Sequence, residues 1–95
     1  MNESTLIKNI LTMVKARRQA GAAIKAIKNW GGQYTEAGTP DIFICADGRL
    51  FAVEAKVGKG KTSPIQDRRL VEWKDAGAVV GVVRSVADVE ELLDR

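Results

Sequence analysis

The Asp47-Gly48 dipeptide constrains the fold of this chain more than any other feature. Apolar segments flank it on both sides, and Asp-Gly between such segments is the strongest short-range signal for a two-residue β-hairpin turn. The pattern predicts strands at about 41–46 and 49–57. In that register the numbers of opposed residues sum to 95, so we expect Asp41 to lie opposite Glu54.

This pairing would place two carboxylates side by side. Opposed side chains on one face of a hairpin lie about 4.5–5.5 Å apart at Cβ, where like charges repel. Lys56 follows Glu54 by two residues and therefore points to the same face. An ordinary surface ion-pair patch is the alternative, and such patches are common and weak. Because Asp41 and Glu54 are embedded in apolar strands, we favour a metal site in which a cation joins the two acids.

The residue types suit a hard divalent cation. Mg²⁺ and Mn²⁺ prefer oxygen ligands and need few protein contacts, so the expected ligands are Asp41, Glu54 and the backbone carbonyl of Ala55. A bound ion of this kind polarises a phosphoryl oxygen and lowers the pKa of a coordinated water. Lys56 is then expected to orient that water or to stabilise negative charge on the phosphate.

Composition limits the other possibilities. The 95 residues, 45% hydrophobic and 28% charged, predict one soluble domain covering 1–95. The absence of histidine excludes Ser-His and Cys-His nucleophilic catalysis, zinc sites built on His, and nucleases with a histidine base. The net charge of +3 is compatible with a nucleic-acid partner. The single Cys45 falls in a predicted strand, where we expect a small buried side chain in a reducing compartment.

Periodicity and end signals predict an α-β-β-β-α-β-α order around a central mixed sheet. The predicted elements are a helix at 3–19, a strand at 22–28, a loop at 33–39, the hairpin, a helix at 64–76, a strand at 78–83 and a helix after Ser85. The continuous apolar run at 78–83 predicts a central, buried strand. Because both faces of the hairpin are apolar, we expect helices to cover both. No apolar stretch approaches the ~20 residues of a membrane span, and we expect a cytoplasmic protein.

Two residues near the starts of predicted helices have ordinary structural roles. Glu3 stands one helical step from Ile7, at the start of the buried stripe, and can favour the positive end of the helix dipole. Gln66 can be the third helical residue of a capping box with Ser63. Neither role excludes a second one.

Basic and aromatic residues outside the hairpin give weaker signals. Residues 58–62 resemble a phosphate loop, but the Walker pattern needs glycine at position 55, which is alanine, and the chain is too short for a nucleotide-hydrolysing domain. The basic candidates for a DNA backbone are Lys59, Lys61, Arg68 and Arg69, with a solvated loop and exposed helix positions as the alternative. Trp30 and Trp73 are expected in the core or at a dimer contact rather than as base-stacking platforms.

Together these motifs resemble a known family. Glu3 on the first helix, Gly38-x-Pro40-Asp41, Glu54-x-Lys56 and Gln66 on the next helix are similar to the virus-type replication-repair nuclease (VRR-NUC) domain of the PD-(D/E)xK superfamily. The likeness covers nearly the whole chain, and it is greatest to stand-alone phage or bacterial members. It implies a restriction-endonuclease-like fold.

The resemblance also implies a function. It implies a Mg²⁺- or Mn²⁺-dependent DNA endonuclease, a homodimer that cuts branched DNA such as Holliday junctions, in a bacterial or phage-infected cell. Asp41 and Glu54 would bind the metal, Lys56 would handle the water, Glu3 would complete the acidic site, and Gln66 would support the lysine. The rival functions are a non-catalytic DNA-binding module with the same fold, a small-molecule metal-dependent hydrolase and a purely structural domain.

Overall fold

The computed structural model describes residues 1–31 and 35–95 of the chain. The elements are, in order, α1 (Glu3–Gln19), β1 (Ile24–Lys28), β2 (Ile42–Ala46), β3 (Arg49–Ala55), α2 (Pro64–Asp75), β4 (Val79–Val83) and α3 (Val86–Leu93). This order confirms the predicted α/β fold. Of the predicted loop at 33–39, Gln33 and Tyr34 lie outside the described residues. Within the described ranges, no helix is long and apolar enough to cross a membrane.

The sheet has the strand order β1-β2-β3-β4. β2 pairs antiparallel with both β1 and β3, and β3 pairs parallel with β4. Cys45 lies opposite Leu50, so the hairpin register is the predicted one. Asp47 and Gly48 both have positive φ, 52° and 79°, as a type I′ turn requires. The turn chemistry therefore fixes which residues of β2 and β3 share a face.

The main core lies between the sheet and the helices α1 and α3. Alternate residues of β2 and β3 face this layer because side chains alternate along a strand. The most deeply buried members of the core are Leu6, Ile10, Ile42, Ile44, Phe51, Val53 and Val89. The periodic apolar positions of α1 pack against these strand residues.

The other face of the sheet is covered only in part, by α2. The Trp73 ring packs edge-on against the Phe43 ring with 4.8 Å between centroids, whereas Cys45 is exposed and Leu50 is 38% exposed. The expectations that Cys45 is buried and that both faces are covered are therefore wrong. One helix of three turns is too narrow to cover four strands, since side chains give a helix a diameter of about 10–12 Å and strands lie about 4.8 Å apart.

β4 is an edge strand, so the expectation of a central strand at 78–83 is also wrong. β3 is the strand with neighbours on both sides, and its residues 51–55 are all buried. β4 is apolar because α2 packs on one of its faces and α3 on the other. Burial on two faces demands apolar side chains whether or not another strand lies beyond.

Candidate active site

The start of β2 and the end of β3 bring the two predicted carboxylates together. Asp41 precedes β2, and its Oδ2 accepts a hydrogen bond from the backbone N–H of Ala55 at 2.9 Å. The carbonyl of Asp41 accepts a hydrogen bond from the N–H of Asn29 at 2.7 Å. These two bonds hold the Asp41 carboxylate against the end of β3, beside Glu54.

The loop before Asp41 depends on glycine at position 38. Gly38 has φ of +80°, and a Cβ atom there would lie 2.8 Å from the carbonyl oxygen of Ile65 at the start of α2. Pro40, two residues later, is buried. The Gly38-x-Pro40-Asp41 motif thus packs the loop against α2 and sets the position from which the Asp41 side chain projects.

Glu54 is the most unusual residue of the site. Its side chain is 1% exposed, and Oε1 accepts a hydrogen bond from Gln66 Nε2 at 3.2 Å. Oε2 is buried without a hydrogen-bond partner among the described residues. Burial raises the pKa of Glu54 from 4.5 to about 8, and the neighbouring Asp41 carboxyl acts in the same direction. Two adjacent carboxyls do not both ionise readily, so without a cation the pair retains a proton at neutral pH.

Two further charged residues act on Glu54. The ammonium of Lys56, which is only 9% exposed, lowers the pKa of Glu54, and the negative charge of Glu3 raises it slightly. Within the ranges 1–31 and 35–95, neither Lys56 nor Glu3 forms an ion pair. The effect of Glu3 on this pKa places the first turn of α1 within electrostatic range of the site, and the role of Glu3 in the site stays a prediction.

Gln66 forms the expected capping box and also reaches the site, where it contacts Glu54 rather than Lys56. Its backbone N–H donates to Ser63 Oγ at 3.3 Å, and its Oε1 accepts from the N–H of Ser63 at 2.9 Å, which forms a capping box. Its side-chain Nε2 remains available and donates to Glu54. In the described structure this amide bonds to Glu54 and makes no hydrogen bond to Lys56.

The predicted DNA-contacting residues differ in their surroundings. Lys59, Lys61 and Arg68 are exposed. The guanidinium of Arg69 is engaged within the protein, with Glu36 at 2.7 Å, Glu72 at 3.0 Å and the carbonyl of Ala37 at 3.0 Å. Arg69 therefore anchors the loop before Asp41 to α2, and its contact with DNA stays a prediction.

Arg84 is a residue of the site region that sequence reasoning missed. Its guanidinium donates to the carbonyls of Gly58 and Gly60 at 3.1 and 2.8 Å, which holds the loop that carries Lys59. The sequence offers no spacing signal for this contact, because the residues lie 24 to 26 positions apart.

The donor set fits a hard cation held by few protein ligands. Among the described residues no group of three or more acidic, histidine or cysteine side chains is placed to hold a metal ion. Asp41, Glu54 and one backbone carbonyl with solvent are a sufficient set for Mg²⁺ or Mn²⁺. The unpartnered Oε2 of Glu54 beside a second carboxylate is the feature that a cation would satisfy.

Comparison with solved structures gives several matches, two of which are described below. No family model matches the sequence, and no curated protein does. A solved structure described as "VRR_NUC domain" is 26% identical, with 93% of this chain and 94% of that chain covered and a TM-score of 0.62. A second, described as "VRR_NUC domain protein", has a TM-score of 0.77 over 99% of this chain and 86% of that chain, and at 16% identity it shows a likeness of fold alone. The chain is thus similar, over nearly its whole length, to solved structures described as VRR_NUC domains.

Proposed function

We propose that this chain is a divalent-metal-dependent DNA endonuclease. The description of its structural neighbours as VRR_NUC domains suggests a nuclease-type domain. The observation that carries the metal dependence is the buried Glu54 beside the half-buried Asp41, with Glu54 Oε2 unpartnered among the described residues. A buried carboxylate without compensation is costly, and a cation would compensate it.

The proposed ligands of Mg²⁺ or Mn²⁺ are Asp41, Glu54 and the carbonyl of Ala55. Glu3 adds negative charge from the first turn of α1, which favours any cation bound nearby. When bound, such an ion supplies a polarised phosphoryl oxygen and a water of lowered pKa.

The residues of the chain would complete the site around the phosphate. Lys56, nearly buried on the same strand face as Glu54, places an ammonium where it can orient the attacking water or stabilise charge on the phosphate. Gln66 fixes the orientation of the Glu54 carboxylate through the 3.2 Å hydrogen bond. The exposed Lys59, Lys61 and Arg68 are proposed to contact the DNA backbone.

Branched DNA such as Holliday junctions is the proposed substrate, and a homodimer in the cytoplasm of a bacterial or phage-infected cell is the proposed form. Both proposals rest on the family resemblance. A two-fold dimer would present two equivalent sites to two strands of a junction, as symmetric cleavage needs. A non-catalytic DNA-binding module is the alternative function, and the presence of Asp41, Glu54 and Lys56 in one buried site argues against it.

Cleavage of labelled DNA tests the proposal. Four-way junction, flap and plain duplex are each incubated with Mg²⁺ or Mn²⁺ and the wild type, Lys56→Ala or the control Lys74→Ala, which removes an exposed lysine of α2. We expect metal-dependent cutting by the wild type and the control, and a loss of about a hundredfold or more in Lys56→Ala. Salt-sensitive binding without cutting would instead establish the DNA-binding module, and absence of both would favour a small-molecule hydrolase or a structural domain.

A further inference from the structure

A groove between α1 and β1, on the side of α1 that faces away from α3, combines positive charge with an exposed aromatic ring. It lies between α1 and β1 and has a volume of about 360 Å³. Its residues include Ile7, Leu11, Lys8, Lys15, Lys28 and Trp30. A second depression of about 320 Å³ continues it toward Arg18 and Lys25. The floor is apolar, and the rims carry ammonium and guanidinium groups.

The charge of this region is unusual for the chain. The sequence from Ser4 to Thr35 contains six Lys and Arg residues and no Asp or Glu. Because the whole chain has 15 basic and 12 acidic residues, the remainder has nine basic and twelve acidic residues and is net negative. The positive excess of the protein is thus concentrated in α1 and β1, and a surface of one sign attracts a polyanion.

Trp30 is the aromatic ring of the groove. Its side chain is 81% exposed, so a position in the core is wrong, and the alternative of a dimer contact stays a prediction. The Nζ of Lys28 lies 4.4 Å from the centre of the indole, a cation–π contact that orients the ring. A solvent-exposed indole next to ammonium groups offers a flat surface on which a base can stack while its phosphates meet the cations.

Protection of a sheet edge explains only part of this arrangement. β1 is an edge strand, and lysines such as Lys25 and Lys28 discourage pairing with other chains. Lys8 and Lys15 belong to α1, however, and protect no edge. They stand seven residues apart, about 10 Å along the helix axis, and both line the same groove as Trp30. A helix with an ordinary solvated face would also be expected to carry acids, and α1 carries none after Glu3.

We propose that the groove between α1 and β1 binds a segment of unpaired nucleic acid, with phosphates on Lys8 and Lys15 and a base stacked on Trp30. Stacking on an exposed ring requires a base that is free of its partner, which distinguishes a single strand from intact duplex. The groove begins near the carboxylate site, because Ser4 lines one end and the N–H of Asn29 is bonded to Asp41. A strand in the groove would therefore run toward that site. If the chain is the nuclease proposed above, the groove would guide the unpaired arm of a branched substrate.

Binding in the absence of divalent metal tests the groove independently of cleavage. A fluorescent oligothymidine and a duplex of equal length are titrated against the wild type, Trp30→Ala, Trp30→Phe and Lys8→Ala/Lys15→Ala, with Lys74→Ala/Arg95→Ala as the charge-matched control. We expect Trp30→Ala to weaken oligothymidine binding roughly five- to a hundredfold, and Trp30→Phe to retain most of it. In the Lys8→Ala/Lys15→Ala variant, the slope of the logarithm of the binding constant against the logarithm of the salt concentration should become less steep by about 1.4. Each phosphate contact to a single strand contributes about 0.7 to this slope.

The outcomes distinguish the groove from its alternatives. Quenching of indole fluorescence by oligothymidine in the wild type, lost in Trp30→Ala, would support stacking. Equal weakening in the groove pair and the control pair would overturn the proposal, as would equal weakening of single-strand and duplex binding in Trp30→Ala. Trp30-dependent binding to vesicles of phosphatidylserine without binding to oligothymidine would overturn it in favour of an anionic lipid surface. If the protein does not cleave DNA but still binds oligothymidine in the groove, only the proposal of nuclease function would be overturned.

Discussion

The carboxyl of Glu54 is buried beside that of Asp41, so its charge must be balanced by a proton or by a cation. Its pKa is raised from 4.5 to about 8 in the folded protein, mainly by burial. The folded state thus retains a proton that the unfolded chain loses near pH 4.5. This proton linkage stabilises the fold fully below pH 4.5, and the stabilisation is lost as the pH rises toward about 8.

We therefore predict that the free energy of unfolding of the metal-free protein decreases between pH 5 and pH 8. Glu54→Gln should flatten this decrease, because the amide resembles the protonated carboxyl in size and hydrogen bonding and does not titrate. Denaturant unfolding at several pH values in the presence of a chelator measures the effect. Equal pH dependence in both proteins would contradict the assignment of the raised pKa to Glu54.

Metal addition should act on the same residue. A cation at ten times its Kd stabilises a protein by about 1.4 kcal/mol, which raises the Tm of a domain of this size by roughly 5–10 °C. We expect this rise for the wild type at pH 8, a smaller rise at pH 6 where the cation must displace the proton, and little rise for Glu54→Gln. Thermal scans with Mg²⁺, Mn²⁺ and chelator measure it, and equal rises in both proteins would contradict metal binding between the two acids.

Sequence alone could place the individual residues of the site only in part. The Asp-Gly turn fixes the register of the hairpin and therefore the face of β3 on which Glu54 lies. Because this register pairs position 41 with position 54, the proximity of Asp41 and Glu54 could be predicted from the sequence. The position of Gln66 in the first turn of α2 could be predicted, because the capping box fixes where the helix begins. The ion pairs of Arg69 with Glu36 and Glu72 could not, since they depend on how the loop before Asp41 packs on α2.

At the scale of elements, the contact between the loop that contains Gly38 and α2 positions the active site. Gly38→Ala introduces a Cβ atom 2.8 Å from the carbonyl oxygen of Ile65 at φ of +80°. Gly48→Ala is a matched control, because Gly48 has φ of +79° and open space around the new Cβ. Both substitutions incur about 1–2 kcal/mol of left-handed backbone strain, and only Gly38→Ala must also move the loop.

We predict that Gly38→Ala lowers the free energy of unfolding by about 1 kcal/mol or more beyond the loss in Gly48→Ala. It should also reduce the metal-dependent rise in Tm, because displacement of the loop moves Asp41 away from Glu54. Urea denaturation and metal titration of the two variants test both effects. Equal losses of stability with an unchanged metal response would show that the contact with Ile65 does not hold the site.

Elements were predictable where local chemistry determines them. The hairpin register followed from one dipeptide, and α2 followed from its serine cap, its first-turn proline and Gln66. The edge position of β4 could not be predicted from the sequence. An apolar segment indicates that helices cover both faces of the strand, but it does not indicate whether a second strand lies beside it. The exposure of Cys45 could not be predicted for a similar reason. It depends on how much of the sheet α2 covers, and this is decided by tertiary packing rather than by local sequence.

At the scale of the whole molecule, charge and apolar surface are distributed unevenly. The positive excess lies on α1 and β1, and the open part of the α2 face carries apolar side chains next to Lys25, which lies opposite Cys45. Ile27 is 63% exposed and Leu50 38% exposed, and both share this face with the exposed Cys45. The proposed homodimer would gain most by burying this apolar strip, because burial of an aliphatic side chain contributes about 1.5–3 kcal/mol.

We predict that Leu50→Glu weakens self-association by roughly a hundredfold, since a charge left unpaired in an interface costs about 3 kcal/mol. Ala87→Glu is the control, because it adds the same side chain at an exposed position of α3 on the opposite side of the sheet. Sedimentation velocity over a concentration series measures association, and the rate of Cys45 alkylation reports whether the strip is covered. In a dimer formed through this strip, Cys45 is protected at high concentration in the wild type and in Ala87→Glu but reacts freely in Leu50→Glu. Association that is equally strong in Leu50→Glu, with Cys45 reactive throughout, would place the dimer contact on another surface and leave the strip uncovered.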